Sequence, residues 1–269
     1  AVTPRMLLSH TAGLTDGFGF PGYPPTDPLP SAAQILQGVP PSKTAAVAFE
    51  NPPMTRAHYS GGGSLIMQVL LEDLSGEPFA ELMQRAVLAP LQMRQSLYRQ
   101  PLPNQLWPLA ASGHDAAGQR LPGRWRVYPE LAAAGLWTTS HDLATMVVAL
   151  QNANRGRRDG PLSQAVVRDL FRPVGLGSFG TGFNVFRQGE GWYFAHQGAN
   201  AGYRSFLMAH QSRGYGVVIM TNGDGGDHLI EKLCRRVQQV YGWDVAQLDG
   251  EFRFALPRGV GCLPDFGPE

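Results

Sequence analysis

The spacing of apolar residues predicts helices through the first part of the chain. Over residues 64–74 apolar positions recur every three to four residues, which is the period of a helix with one buried face. Pro78 begins a second such stretch, and the capping sequence TSHD at residues 139–142 begins a third. Pro4 stands where the first turn of a short helix within residues 1–14 would begin.

Two long segments lack this periodicity. Residues 15–57 and 95–130 are rich in glycine and proline, and only residues 32–37 show a short helical patch. Loops of this length in a compact protein commonly line a binding site.

The pattern changes to strands after residue 178. Four segments have the composition of strands and are separated by glycine-containing turns: residues 179–187, 191–196, 203–210 and 215–221. They predict an antiparallel meander. Asp227 is then expected to cap a final helix whose buried stripe consists of Leu229, Leu233, Val237 and Val240.

The order of elements predicts an α/β fold of the α+β kind, in which helices flank an antiparallel sheet. One domain is expected over residues 1–243, with a sheet region at 179–222 and a closing helix at about 227–241. A helical, loop-rich region at about 15–135 would form the other wall of a cleft. Residues 244–269 read as an irregular tail.

The composition narrows the possible functions. The chain has 269 residues, of which 43% are hydrophobic, and a formal net charge of +1. A core of ordinary size can form, whereas nothing in the charge favours nucleic acid as a partner. No segment is apolar enough to span a membrane. Cys234 and Cys262 fit no metal or disulfide pattern. No export signal is visible, and the compartment and oligomeric state stay open.

Tyr59 is the first candidate for chemistry. It precedes Ser60-Gly61-Gly62-Gly63 at the point where a loop becomes a helix. A tyrosine held at a helix N-terminus can act as a general base if nearby cations lower its pKa. The alternative is a glycine-rich turn with a tyrosine that only packs.

His196 is the second candidate. It ends a predicted strand and is followed by Gln197 and Gly198, and a glycine in such a strand often marks a place where a ligand approaches the backbone. The alternative is a structural histidine. Ser9, His10 and His58 are read as structural, since neither a Gly-x-Ser-x-Gly motif nor a metal-binding spacing is present.

Together these segments resemble the serine β-lactamase-related family, which includes class C β-lactamases, D-alanyl-D-alanine carboxypeptidases and related esterases. The resemblance runs from residue 2 to about residue 243 and rests on motifs in the family's order. They are VTPRMLLSHTAGL at 2–14, YSG at 59–61, DLSGEPF at 73–79, AAAGLWTT at 132–139, HQG at 196–198 and VVIMTN at 217–222.

The resemblance implies a reaction and a site. The reaction is acyl transfer from a small-molecule ester, amide or β-lactam to water through an acyl-serine, without a cofactor. Tyr59 would transfer protons, and His196 would hold the substrate. Gln197 would hydrogen-bond the substrate, and the N–H of Ala199, after Gly198, would donate to the oxyanion. Members of the family are often exported.

Two departures qualify that expectation. Gly61 stands where the family has an asparagine of the substrate site, which favours an esterase or peptidase-like hydrolase over a true β-lactamase. The family's nucleophile lies in Ser-x-x-Lys, and here the only lysines are Lys43 and Lys232, preceded three residues earlier by Pro40 and Leu229.

The missing motif predicts that this chain alone is inactive. Three explanations remain: a fragment of a longer product, a partner chain that supplies the nucleophile, or an inactive relative that binds ligands or partners.

Overall fold

The computed structural model describes residues 1–15, 19–157, 160–189 and 191–243. Its helices are α1 (Pro4–Leu8), α2 (Ala32–Gln37), α3 (Gly61–Ser75), α4 (Phe79–Met83), α5 (Leu131–Ala134), α6 (Ser140–Asn154), α7 (Gln164–Leu170) and α8 (Gly226–Tyr241). A π-helical turn (Gln84–Leu88) continues α4, and a 3₁₀ helix (Asn104–Leu109) lies in the second long loop. The strands are β1 (Asn184–Gln188), β2 (Gly191–Asn200), β3 (Tyr203–His210) and β4 (Gly216–Thr221).

The four strands form one antiparallel sheet in the order β1-β2-β3-β4. The predicted fold class, an antiparallel sheet flanked by helices, is therefore confirmed. The first strand is shorter than the sequence suggested: it begins at Asn184, and Phe179 reaches it only through an isolated bridge. Gly182 lies between them with φ +91°, a left-handed conformation that interrupts an extended chain.

Both faces of the sheet are buried, each by different helices. On one face Phe194 and Leu207 pack with Val147 of α6 and Val167 of α7. On the other face alternate residues of the same strands pack against α8. The residues of that second cluster are Tyr193, Ala195, Phe206, Met208, Ile230 and Cys234. The period of two along β2 and β3 therefore supplies two apolar layers, as a doubly covered sheet requires.

The predicted buried stripe of α8 is wrong. Ile230, Cys234 and Gln238 face the sheet, whereas Leu229, Leu233 and Val240 of the expected stripe are exposed by 52%, 40% and 60%. Both sets recur at helical spacing, and the sheet covers the set that contains Ile230 and Cys234.

The expected cap of α8 is wrong as well. Gly225 is the N-cap, so α8 begins without a side-chain cap hydrogen bond. Asp227 lies inside the helix, where its carboxylate accepts a hydrogen bond from Arg204 Nε at 3.2 Å. The buried thiol of Cys234 is free. Cys262 and the tail at 244–269 lie outside the described residues. In the part of the chain that is described, no helix is long and apolar enough to cross a bilayer.

Helix α6 begins at the predicted capping sequence. Thr139 Oγ1 accepts the Asp142 N–H at 3.2 Å, as an N-cap does. The Asp142 carboxylate does not return to the cap. It accepts the Gln95 N–H and the Ser96 hydroxyl, at 2.8 and 2.7 Å, and so ties α6 to the second loop region.

Glu130, just before α5, is a fully buried acid. Neither of its carboxyl oxygens has a hydrogen-bond partner. Burial raises the pKa of the carboxyl from 4.5 to about 7, because a charged group loses hydration inside the protein. The folded chain thus binds the Glu130 proton more tightly than the unfolded chain does.

This burial predicts how Glu130→Gln changes stability with pH. Stability of the native chain falls as pH rises from 4.5 through 7, because folding then opposes ionisation. Glutamine does not ionise. We therefore expect the unfolding free energy of Glu130→Gln, relative to that of the native chain, to rise by on the order of 3 kcal/mol between pH 4.5 and 8. Urea unfolding at several pH values measures this. The exposed change Asp73→Asn is the control, and a pH-independent difference for Glu130→Gln would refute the interpretation.

Candidate active site

Tyr59 lies directly before the N-cap of α3. Ser60 is that N-cap: its hydroxyl accepts the Gly63 N–H at 3.3 Å, and its own N–H donates to His10 Nδ1 at 3.2 Å. The sequence forms the helix start here because serine satisfies a free N–H of the first turn. Tyr59 is therefore fixed at the junction between a loop and a helix.

Four aromatic rings meet at this junction. The Tyr59 ring centroid is 4.1 Å from that of His10, 5.9 Å from that of Phe179 and 6.3 Å from that of His196. Phe179 is also 4.7 Å from His10, edge to face, and 6.3 Å from His196. The fold thus brings together Tyr59 and His196, the two side chains that the sequence singled out.

His10 and Phe179 complete the cluster and were missed as site residues. His10 was read as structural, and Phe179 was read only as part of a strand. The motif around residues 2–14 gave a signal for His10, because it is part of the family resemblance. No local pattern points to Phe179, whose role depends on contacts with residues far away in the chain.

His196, Gln197, Gly198 and Ala199 form the last part of β2. Gly198 pairs with Ser205 of β3, and a Cβ at Gly198 would lie 2.5 Å from the Ser205 hydroxyl oxygen. Only a glycine fits there without a shift of Ser205, which explains the glycine in this motif.

The strand register fixes which way the Ala199 peptide groups point. Gln211 N–H donates to the Trp192 carbonyl, and hydrogen-bonded pairs alternate in an antiparallel ladder. Even-numbered residues of β2 therefore bond to β3, and the N–H of Ala199 points to the opposite edge. β1 pairs with β2 only as far as Ala195, so no described strand covers that edge beside residues 196–200.

The end of β2 is joined to the helical region. Asn200 Nδ2 donates to the Ala134 carbonyl at 3.0 Å, and the Ala201 N–H donates to the Tyr128 hydroxyl at 2.9 Å. These bonds join the end of β2 to α5 and to the segment before it.

Both imidazoles of the cluster are uncharged at neutral pH. Burial, together with the neighbouring His196, lowers the pKa of His10 from 6.5 to about 3. Burial also lowers the pKa of His196. A buried imidazole resists protonation because the cation loses its hydration. A neutral His196 offers hydrogen bonds to a ligand but no full positive charge.

Gly61 is enclosed by the first long loop. A Cβ at this position would lie 3.0 Å from Phe20 Cε2 and 3.3 Å from Gly19 Cα. A side chain at this position would therefore require the Phe20 ring or the loop to shift slightly.

The two lysines are placed elsewhere. Lys43 forms an ion pair with Asp27 at 2.9 Å, and Lys232 lies on the exposed side of α8. Within the described residues there is no group of three or more His, Cys, Asp and Glu side chains that could hold a metal ion.

Comparisons with known proteins agree with this architecture. The octameric penicillin-binding protein homologue from Pyrococcus abyssi superposes with a TM-score of 0.63 at 19% identity, over 88% of this chain and 55% of that one. The D-amino acid amidase from Ochrobactrum anthropi SV3, solved with D-phenylalanine, gives 0.65 at 20%, over 89% and 78%. SurE, solved with D-Leu, gives 0.67 at 25%, over 91% and 56%.

The chain thus spans little more than half the length of two of these proteins. A search of curated proteins gives no significant match. The family model described as Beta-lactamase matches residues 1–240. The chain therefore belongs to the Beta-lactamase family.

Proposed function

We propose that this chain forms the substrate cleft of a serine hydrolase that transfers an acyl group from an ester or amide to water. Tyr59 would move a proton to and from the nucleophile and the leaving group. The Ala199 N–H would stabilise the oxyanion, with Gln197 and Gly198 beside the substrate. His196 would orient the substrate as a neutral hydrogen-bonding group.

The observation that carries the proposal is the approach of Tyr59 to the open edge of β2. The Tyr59 ring lies 6.3 Å from that of His196, and the register directs the N–H of Ala199, three residues further on, away from β3. A reacting carbonyl beside this edge would be within reach of both a proton-transfer group and a backbone donor, as acyl transfer requires.

The charge of the cleft favours neutral substrates. A carboxylate next to the scissile bond is bound best by a cation, because charge-assisted hydrogen bonds are about twice as strong as neutral ones. His196 is uncharged at neutral pH, and Gly61 provides no side-chain amide. We therefore propose that esters and neutral amides are preferred over carboxylate-bearing β-lactams.

The nucleophile is proposed to come from outside these 269 residues. No Ser-x-x-Lys occurs in the sequence. Of the serines near Tyr59, Ser60 caps α3, and Ser9 Oγ is 2.9 Å from Thr11 Oγ1 in a buried pair. A longer gene product or a partner chain would supply the segment, and the chain alone would not turn over substrate.

The missing motif also favours a second candidate function. A relative that keeps the cleft without the nucleophile would bind an ester, an amide or a partner and not hydrolyse it. The two candidates differ in one property, which is whether a Ser-x-x-Lys segment, from the same gene product or from a partner chain, completes the cleft.

The first experiment uses the longest transcript that encodes this chain. We expect its product to contain Ser-x-x-Lys and to hydrolyse a short-chain aryl ester at least ~10-fold faster, in kcat/KM, than a chromogenic cephalosporin, a difference of about 1.4 kcal/mol. Replacing the serine of that motif by alanine is the control for background hydrolysis. Faster turnover of the cephalosporin would refute the substrate preference. A product without the motif would exclude a nucleophile in the same gene product and leave a partner chain or the binding function.

Tyr59→Phe in that longer product tests the proton-transfer role. Phenylalanine keeps the ring contacts with His10 and Phe179 but lacks the hydroxyl. We expect the rate of acylation, measured in single-turnover experiments, to fall by about 10²- to 10⁴-fold. The unfolding midpoint should stay close to that of the parent. Acylation at the parent rate would remove Tyr59 from the mechanism.

Gly61→Asn tests why the family's asparagine is absent. Because its Cβ would meet Phe20 at 3.0 Å, we expect the free energy of unfolding to drop by about 1–3 kcal/mol, without a gain in cephalosporin turnover. Gly225→Asn is a matched control, since its Cβ meets nothing within 4 Å. A stable Gly61→Asn protein with new cephalosporin activity would contradict this explanation.

A further inference from the structure

His10 has an unusual backbone conformation for its residue type. Its φ is +59°, in the left-handed region, although it is neither glycine nor asparagine. For such a residue this conformation is strained, and strain of this kind persists where surrounding contacts hold it and often accompanies function. His10 is also 93% buried, with 7% of its surface exposed.

Three contacts connect His10 to three consecutive residues around Tyr59. Its carbonyl accepts the His58 N–H at 2.8 Å. Its ring packs against the Tyr59 ring, with centroids 4.1 Å apart and an angle of 33° between the ring planes. Its Nδ1 accepts the Ser60 N–H at 3.2 Å. One residue thus holds the backbone on both sides of Tyr59 and the side chain between them.

The contacts depend on the left-handed backbone. The carbonyl and the ring of His10 both reach the same short segment, which requires the chain to turn sharply at this residue. The following Thr11 carbonyl accepts the Met54 N–H at 2.8 Å, so the turn is fixed on its other side too. Phe179 packs edge to face against the imidazole, with ring centroids 4.7 Å apart.

The imidazole must be neutral with one defined tautomer. An Nδ1 that accepts the Ser60 N–H carries no hydrogen, so the proton lies on Nε2. Burial and the nearby His196 and His58 imidazoles oppose a second proton. The three contacts are therefore maintained throughout the neutral range.

We propose that His10 is a positioning residue for Tyr59, which it holds in one orientation through its contacts with residues 58, 59 and 60. The inference rests on the proposed function, in which the Tyr59 hydroxyl transfers protons. Such a group needs placement within about 0.5 Å of its working geometry, and a misplacement of about 1 Å can cost on the order of 10²-fold in rate.

Two substitutions test the ring contact with Tyr59 and the Nδ1 acceptor independently. His10→Asn keeps an acceptor near the position of Nδ1 and tolerates a positive φ, but removes the ring. His10→Phe keeps a ring over Tyr59 and removes the acceptor. His141→Asn, at an exposed position on α6, is the matched control for the asparagine change.

The first readout is spectroscopic and uses the 269-residue chain. Carbon-13-labelled tyrosine resonances are assigned to Tyr59 by their loss in Tyr59→Phe. In His10→Asn we expect the Tyr59 ring resonances to lose the ring-current shift from His10, while the Ser60 amide keeps its slow hydrogen exchange. In His10→Phe we expect the reverse. In the native chain, nitrogen-15 spectra should show His10 with the proton on Nε2 and no titration between pH 5 and 8.

The second readout is kinetic and uses the longer product with an aryl ester. We expect His10→Asn to lower kcat by about 10- to 100-fold, with KM within a factor of two of the parent. A merely structural role would instead lower the folded fraction and leave kcat per folded molecule unchanged.

The outcomes separate the two proposals. Unchanged Tyr59 resonances in His10→Asn, or a His10 that titrates near pH 6.5, would overturn the positioning role. If both variants fail to fold, a native His10 that carries its proton on Nδ1 or titrates near pH 6.5 would still overturn that role. If the spectra agree but the longer product hydrolyses no ester, only the proposed function fails.

Discussion

The site depends on a mismatch in length between neighbouring strands. β2 continues its pairing with β3 as far as Asn200, whereas β1 stops opposite Ala195. The last part of β2 therefore has one edge that is bonded and one that no described strand covers. Pairing along the other edge restrains this part of the strand, so its peptide groups at the open edge keep a fixed direction.

The second half of the site is brought to that edge by the helical region. The start of α3 places Tyr59 there, and the residues after α1 hold it through His10. Helix α5 is bonded to the end of β2 through Asn200. Each of these contacts joins segments far apart in sequence, so the geometry of the site is a property of the whole fold.

Much of the fold could be predicted because its pattern is local. The succession of strands could be predicted from the glycine-containing turns between them. Helices α3 and α6 each have an apolar period and a capping residue, Ser60 and Thr139 respectively. The buried face of α8 could not be predicted, since both sets of residues recur at helical spacing and only the docked sheet decides between them. Glu130 gave no sign of its burial, because its environment is made of distant segments.

The candidate site was predictable to a similar degree. Tyr59 and His196 stand in short motifs, and their approach to 6.3 Å agrees with those motifs. The position of Phe179 and the contacts of His10 with residues 58–60 depend on tertiary packing, which no local pattern shows. The absence of the family's asparagine at Gly61 is visible in the sequence, whereas the close approach of the Phe20 ring appears only in the packing.

The most direct measurement concerns the nucleophile. The 269-residue chain is incubated with a series of concentrations of a fluorophosphonate probe, and labelled serines are located by mass spectrometry. A cleft that lacks its nucleophile predicts only slow labelling, proportional to probe concentration and the same in Tyr59→Phe. Saturable labelling of any serine in this chain, lost in Tyr59→Phe, would show that the nucleophile is present. It would contradict the proposal that the nucleophile comes from outside these 269 residues.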